Sequence, residues 1–181
     1  MREKKSILEL TTTTCEDYRR RRKRPLILLC DNVRSLHNVG SFFRTCDAFL
    51  VEEIVLCGIT GTPPHGEISK TALGAERSVA WRYAEDALSE AERLRGAGYE
   101  LLVLEQAHDS ISLGDFRVRP DGRYVLVVGN EVDGVSQGIV DIADSVLEIR
   151  QHGIKHSLNV SVSAGIALWS LSEQLSADAD I

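Results

Sequence analysis

The sequence predicts an α/β fold with a mainly parallel sheet and helices on both faces. Short apolar runs alternate with amphipathic stretches along the chain. The run Tyr124–Val128 (YVLVV) has no polar face, as a strand covered on both sides requires. The clusters best suited to ligand contact follow directly on strand ends, where open parallel sheets bind their ligands.

Read in order, Ser6–Arg24 is expected to form a helical extension, and Pro25–Cys30 (PLILLC) a buried strand. A helix over Val39–Phe49 follows, then a strand over Glu52–Cys57. The Gly/Pro-rich stretch Gly58–Gly66 is a loop, and Ile68–Leu73 a short helix. Asp86–Arg95 is an amphipathic helix closed by Gly96 and Gly98. Strands are expected at Tyr99–Leu104, Tyr124–Val128 and Val146–Ile149, and an apolar-striped helix over Leu158–Leu175, ending in the polar tail Ala177–Ile181.

The 181 residues fit one domain, with 1–24 as a basic extension and 25–181 as the folded body. Hydrophobic residues make up 43% and charged residues 27%, as in a soluble protein. No apolar run approaches the ~20 residues needed to span a bilayer, and Met1–Leu10 has no secretory core, so a cytoplasmic location is expected. Cys15, Cys30, Cys46 and Cys57 form no CxxC pair and read as reduced thiols. Net charge is −6, unlike a general nucleic-acid binder, but its distribution is uneven. Residues 1–25 hold nine basic and four acidic side chains, a local net of +5; the rest of the chain is at −11. The run Arg19, Arg20, Arg21, Arg22, Lys23 and Arg24 can neutralise phosphates or form a solvated face that binds nothing in particular.

Three clusters carry candidate chemistry. In Asp31–Asp47 (DNVRSLHNVGSFFRTCD), Asn38 and Gly40 are expected to form a turn, with Arg44 early on the following helix. In Val127–Ser136 (VVGNEVDGVS), an apolar strand runs into Gly129, Asn130 and Glu131; Gly129 permits a ligand close to the backbone, and Glu131 can accept hydrogen bonds. In Ile149–Trp169, a strand end meets Gly153, and Ser157 with Asn159 opens a small-residue helix, Ser157 being the N-cap candidate. Each has an ordinary reading too: a surface ion pair for Arg44, a turn at Gly129, capping alone for Ser157 and Asn159. His152 and His156 flank a glycine loop with no acidic partner nearby, so no metal site is expected. No GxGxxG follows the first strand, and there is no P-loop and no GxSxG elbow.

The order of these motifs resembles the SpoU (TrmH-like) family of RNA methyltransferases in the SPOUT superfamily. The matches are Asn38, Gly40 and Arg44; then Gly129, Asn130, Glu131 and Gly134; then Ile149, Gly153, Ser157, Leu158, Asn159, Val160 and Ser161, together spanning residues 26–175. The chain departs from the family at Arg150-Gln151, where Pro-Met is usual, and at Trp169-Ser170, where Tyr-Glu is frequent. The resemblance implies a C-terminal trefoil knot, a rare exception to unthreaded topology. It implies S-adenosylmethionine bent in that knot, held at Gly129, Asn130, Ile149, Gly153, Ser157 and Leu158. It further implies a homodimer through the first and last helices, and transfer of a methyl group to a ribose 2′-hydroxyl of structured RNA, tRNA before rRNA. Arg44, Asn38, Glu131, Ser157 and Asn159 would form the catalytic set, with Arg44 also touching RNA. Because a guanidinium holds its proton, Arg44 is read as a clamp for phosphate and developing alkoxide charge rather than a base. A base methyltransferase of the same superfamily, or a non-catalytic RNA-binding module, are the alternatives.

Overall fold

The computed structural model describes residues 3–6 and 13–175. Its strands are β1 (Arg24–Asp31), β2 (Val51–Cys57), β3 (Trp81–Ala84), β4 (Glu100–Leu104), β5 (Ile111–Ser112), β6 (Tyr124–Val128) and β7 (Ser145–Glu148). They stand in the order β3-β2-β1-β6-β4-β7-β5, and among the described residues every strand pairing is parallel. The helices are α1 (Cys15–Arg20), α2 (Leu36–Ala48), α3 (Gly66–Ala72), α4 (Ala87–Gly96), α5 (Gln137–Ile142) and α6 (Val160–Ser172).

Two cores lie on opposite faces of the sheet, and the period-two geometry of β1 feeds both. Leu26, Leu28 and Cys30 join one core with side chains from α1, α2, α3 and α6. Ile27 and Leu29 join the other with Ala91 and Leu94 of α4 and Ile139 of α5. The central strand β6 is buried at all five positions, so its sequence carries no alternation.

The departures from sequence expectation have identifiable causes. Among the described residues the N-terminal helix is only Cys15–Arg20, because Arg21 is already extended; residues 7–12 of the expected helix, and the tail from 176, lie outside the described residues. Tyr18 is 5% exposed and belongs to the α2–α6 core, so α1 packs on the body. The helix expected from Val39 begins at Leu36, capped by the Ser35 hydroxyl, which accepts from the Asn38 N–H at 3.4 Å. Asn38 and Gly40 are therefore helical rather than a turn. Gly40 is needed for packing: a Cβ there would overlap the Ile68 carbonyl and the Thr71 side chain of α3. The last helix starts at Val160 rather than Leu158. Edge strands β3 and β5 and the one-and-a-half-turn α5 lack the apolar runs or length that mark an element in sequence.

Arg24 opens β1 and acts as an internal clamp. Its Nε donates to the carbonyls of Ser172 (2.7 Å) and Leu175 (3.3 Å), and its Nη1 to that of Phe49 (3.0 Å). A cation among the orphan carbonyls at helix C-termini is favourable, and these bonds take Arg24 out of the free basic run. Lys23 is similarly occupied, donating to the Tyr18 and Arg21 carbonyls and lying 3.9 Å from the centre of the Tyr18 ring.

Because Tyr18 is buried with the body, Tyr18→Ala is expected to cost about 3 kcal/mol of folding stability. Urea unfolding should show a lower midpoint with little change in slope. An unchanged midpoint would mean that α1 is energetically detached.

Candidate active site

The carboxyl ends of three neighbouring strands, β6, β4 and β7, open onto a cavity of about 840 Å³. That volume lies within the ~300–1,000 Å³ usual for small-molecule sites. Its walls come from the segments that follow these strands and from the start of α6.

The loop after β6 is folded back on itself. Asn130 and Gly134 exchange backbone hydrogen bonds (3.1 and 3.2 Å), and the Asn130 Oδ1 accepts from the N–H groups of Val132 and Asp133 (2.9 and 2.8 Å). A Cβ on Gly129 would overlap the backbone of Gly134 and Val135, so the protein's own chain makes the close approach at this glycine. Gly134 has φ +71 and meets the Glu105 carboxylate, which also accepts from the Val135 N–H at 3.1 Å.

A hydrogen-bonded chain joins the three sequence clusters. Glu131 accepts from the N–H groups of Arg34 (Oε2) and Ser35 (Oε1), both at 3.0 Å, and from the Asn38 Nδ2 (Oε1, 2.8 Å). Asn38, 8% exposed, turns its Oδ1 to the Asn159 Nδ2 at 3.2 Å. Asn159 in turn caps α6, its Oδ1 accepting from the N–H groups of Ser161 (2.9 Å) and Val162 (3.3 Å). Asn159, not Ser157, is therefore the N-cap. Partial desolvation pushes the Glu131 carboxyl upward, but the Arg34 N–H, the Asn38 amide and the Ser35 N–H outweigh it and hold the pKa below the ordinary glutamate value.

Of the residues singled out in the sequence, Gly129, Asn130, Glu131, Ile149, Ser157, Leu158 and Asn159 all line the cavity. Gly153 does not: it is exposed, with open space around it. Asn38 sits behind the wall. Arg44 lies in the third turn of α2 rather than early on the helix; it is exposed, outside the lining, and no described residue accepts from its guanidinium. Burial raises the thiols of Cys30, Cys46 and Cys57, the last to about 12, so they remain protonated. Among the described residues no group of three or more His, Cys, Asp or Glu side chains converges as metal ligands would.

Sequence reasoning missed two braces. Asp31, 2% exposed, accepts from the Ser136 N–H and the Asn32 amide, both at 2.8 Å, tying β1 to the end of the β6 loop. Gln106 donates to the His156 carbonyl at 2.8 Å, tying the β4 loop to the β7–α6 loop. A lone Asp closing an apolar strand was the available signal for the first, since a buried carboxylate needs donors.

The sequence pattern of the SpoU rRNA Methylase family matches residues 25–169. The chain belongs to that family. This SpoU methylase is 30% identical over 174 residues to the tRNA (guanosine(18)-2′-O)-methyltransferase of Aquifex aeolicus, covering 93% of this chain and 78% of the relative. Its fold superposes on the solved A. aeolicus TrmH/SpoU tRNA modifying enzyme with a TM-score of 0.78 at 29% identity, covering 88% of this chain and 80% of that one. An AdoMet-bound rRNA methyltransferase from Sinorhizobium meliloti shares the fold, with a TM-score of 0.77 at 23% identity over 88% of this chain and 59% of that one.

Because the folded state depresses the Glu131 pKa, its contribution to stability is complete above the unfolded value of 4.5 and is lost as pH falls through the folded value. Glu131→Gln should therefore be less stable than the parent at about pH 6, and the gap should narrow toward about pH 3. Denaturant midpoints across that range check this; a gap independent of pH would mean that the ionised Glu131 carboxylate does not stabilise the fold through these hydrogen bonds.

Proposed function

We propose that this chain transfers a methyl group from S-adenosylmethionine to a ribose 2′-hydroxyl of structured RNA, transfer RNA ahead of ribosomal RNA. The observation that carries the reading is the Glu131–Asn38–Asn159 chain, which ties the first family motif to the second and third, the two that line the cavity at the strand ends. Family membership supports the reaction, and the Aquifex relative's name supports tRNA. A cytoplasmic location accords with that substrate; among the described residues no helix is long and apolar enough to cross a membrane.

The cavity suits a sulfonium donor. Glu105, Glu131 and Asp133 line it together with apolar Val135, Leu147 and Leu158; among the described residues no Lys or Arg does, and His108 is the one basic side chain of the lining. Carboxylates without competing cations favour a positive ligand. The loops at Gly129–Asn130, Ile149 and Ser157–Leu158 would hold the cofactor, which when bound supplies a methyl group activated for in-line displacement. The segment through 149–159 would thread past the loops after β4 and β6 as a trefoil knot, a reading supported by the Gln106–His156 bond and the shared cavity wall.

The chain's residues then position an acceptor hydroxyl. Asn38 and Glu131 keep the loop 34–35 and the start of α6 in place, and Ser157 and Asn159 shape the mouth where the ribose enters. Arg44 binds the phosphate next to the target ribose and stabilises alkoxide charge as the hydroxyl gives up its proton to solvent water at the cavity mouth. Since Arg44 stands outside its own cavity lining, it serves the cavity of a second copy. The helix face of α6 supports such a dimer: Val162, Ile166 and Trp169 are 39–54% exposed at helical spacing. Arg19, Arg20, Arg21 and Arg22, in the basic segment 1–24 ahead of the methyltransferase domain 25–181, extend the phosphate-binding surface. Arg19, Arg20 and Arg21 also have partners, in the Arg77 carbonyl, the Glu16 carboxylate and the Thr13 hydroxyl, whereas Lys23 and Arg24 are held between two or more backbone carbonyls and drop out of the surface.

Arg44→Ala is expected to lower kcat by about 100-fold or more while the Kd for S-adenosylmethionine stays within about twofold. Arg44→Lys should retain part of the activity if charge alone is required. Resistance of the methylated linkage to alkali identifies the ribose; an alkali-labile product would point to the base. Trp169→Glu should shift light-scattering mass from dimer to monomer and reduce methylation in parallel. A fully active monomer would remove Arg44 from a shared site.

A further inference from the structure

The loop from β7 to α6 carries Arg150, His152, Lys155 and His156 within seven residues and no acidic side chain, in a chain whose net charge is −6. All four are exposed. The side chains of His152, Lys155 and His156 make no hydrogen bond or ion pair with any described residue. Arg150 reaches Asp115 at 3.4 Å, with both side chains more than two-thirds exposed, an arrangement worth little in water. Gln151 and Ser157, on either side, line the cavity, while none of the four cationic or imidazole residues does. The loop thus turns its polar wall to the cavity and its charge to solvent. It is also anchored: the His156 carbonyl accepts from Gln106, and Asn159 fixes the start of α6. At its tip Ile154 is 93% exposed.

We propose that Arg150–His156 is a second RNA-contacting surface, binding substrate phosphates beside the cavity independently of the basic run Arg19–Arg22. It rests on the reading of the chain as an RNA methyltransferase. Lys155 and Arg150 supply phosphate charge; the imidazoles and Ile154 offer donors and flat or apolar surface to a nucleotide splayed from its stack. The cofactor's carboxylate is the other anion within reach, but its binding would require these side chains in the cavity wall. A metal would require a third ligand beside His152 and His156, and among the described residues none converges on them.

The test uses Lys155→Glu, at an exposed position that folding does not depend on, and the triple variant H152A/K155A/H156A. The methyl acceptor is total RNA from cells lacking the gene. The expected result is a KM for RNA raised about fivefold or more, with a shallower dependence of log KM on log salt, by about one for each phosphate that the variant no longer neutralises. The kcat at saturating RNA and the calorimetric Kd for S-adenosylmethionine should stay within about twofold. If the parent methylates RNA and both variants keep its KM and salt slope, the loop surface is refuted and the function stands. A Kd for the cofactor that rises in step with KM would assign the loop to the cofactor and overturn the proposal. Failure of the parent chain to bind or methylate any RNA would overturn the proposed function, and this inference with it.

Discussion

The site depends on one carboxylate in a fixed position. Glu131 accepts three hydrogen bonds from the opposite side of the cavity wall: two from the backbone that enters α2, one from Asn38. Without it the buried Asn38 amide would lose its acceptor, and a buried unmet donor costs more than a typical bond contributes, while the N–H groups of Arg34 and Ser35 at the helix entrance would turn to water. Because Asn38 passes the constraint to Asn159, the cap of α6 is also set by this interaction. Residues nearly a hundred positions apart in sequence, Arg34 and Glu131, are thereby brought into contact.

The sheet explains why the polar chemistry gathers where it does. Strands β1 and β6 are covered on both faces by two separate cores, which leaves no room for functional groups along their length. Polar residues are therefore displaced to the carboxyl ends, where Asp31, Glu105 and Glu131 each satisfy backbone donors of a neighbouring loop. These carboxylates hold the loops, and Glu105 and Glu131, with Asp133, are also the acidic residues of the cavity wall. The compact turn at Gly129–Gly134 is possible because neither glycine places a side chain into the contact.

Charge is sorted in space as well as along the chain. Acidic residues line the cavity, while Arg44, Arg19, Arg20, Arg22 and the basic side chains of the β7–α6 loop are exposed to solvent. Such sorting accords with a proposed enzyme that receives a cationic donor inside and a polyanion outside. The exposed apolar face of α6 suits neither ligand, and a second copy there would complete the proposed site with Arg44.

The sequence by itself determined the α/β class, the strands β1, β2, β4, β6 and β7, and the three clusters that hydrogen bonds join beside the cavity, because burial on both faces and glycine-bounded strand ends leave local signatures. Capping was only half legible: Ser157 and Asn159 are both good caps, and only the position of Asn38 selects Asn159. Gly40 reads as a turn in one dimension because nothing local announces that α3 crosses it. Arg24 and Lys23 read as free charge in a basic run, yet helix ends brought up from residues 49, 172 and 175 claim Arg24's donors. Tertiary structure decided which polar groups are free and which are spent, because hydrogen-bond partners distant in the chain are fixed only when the backbone has folded.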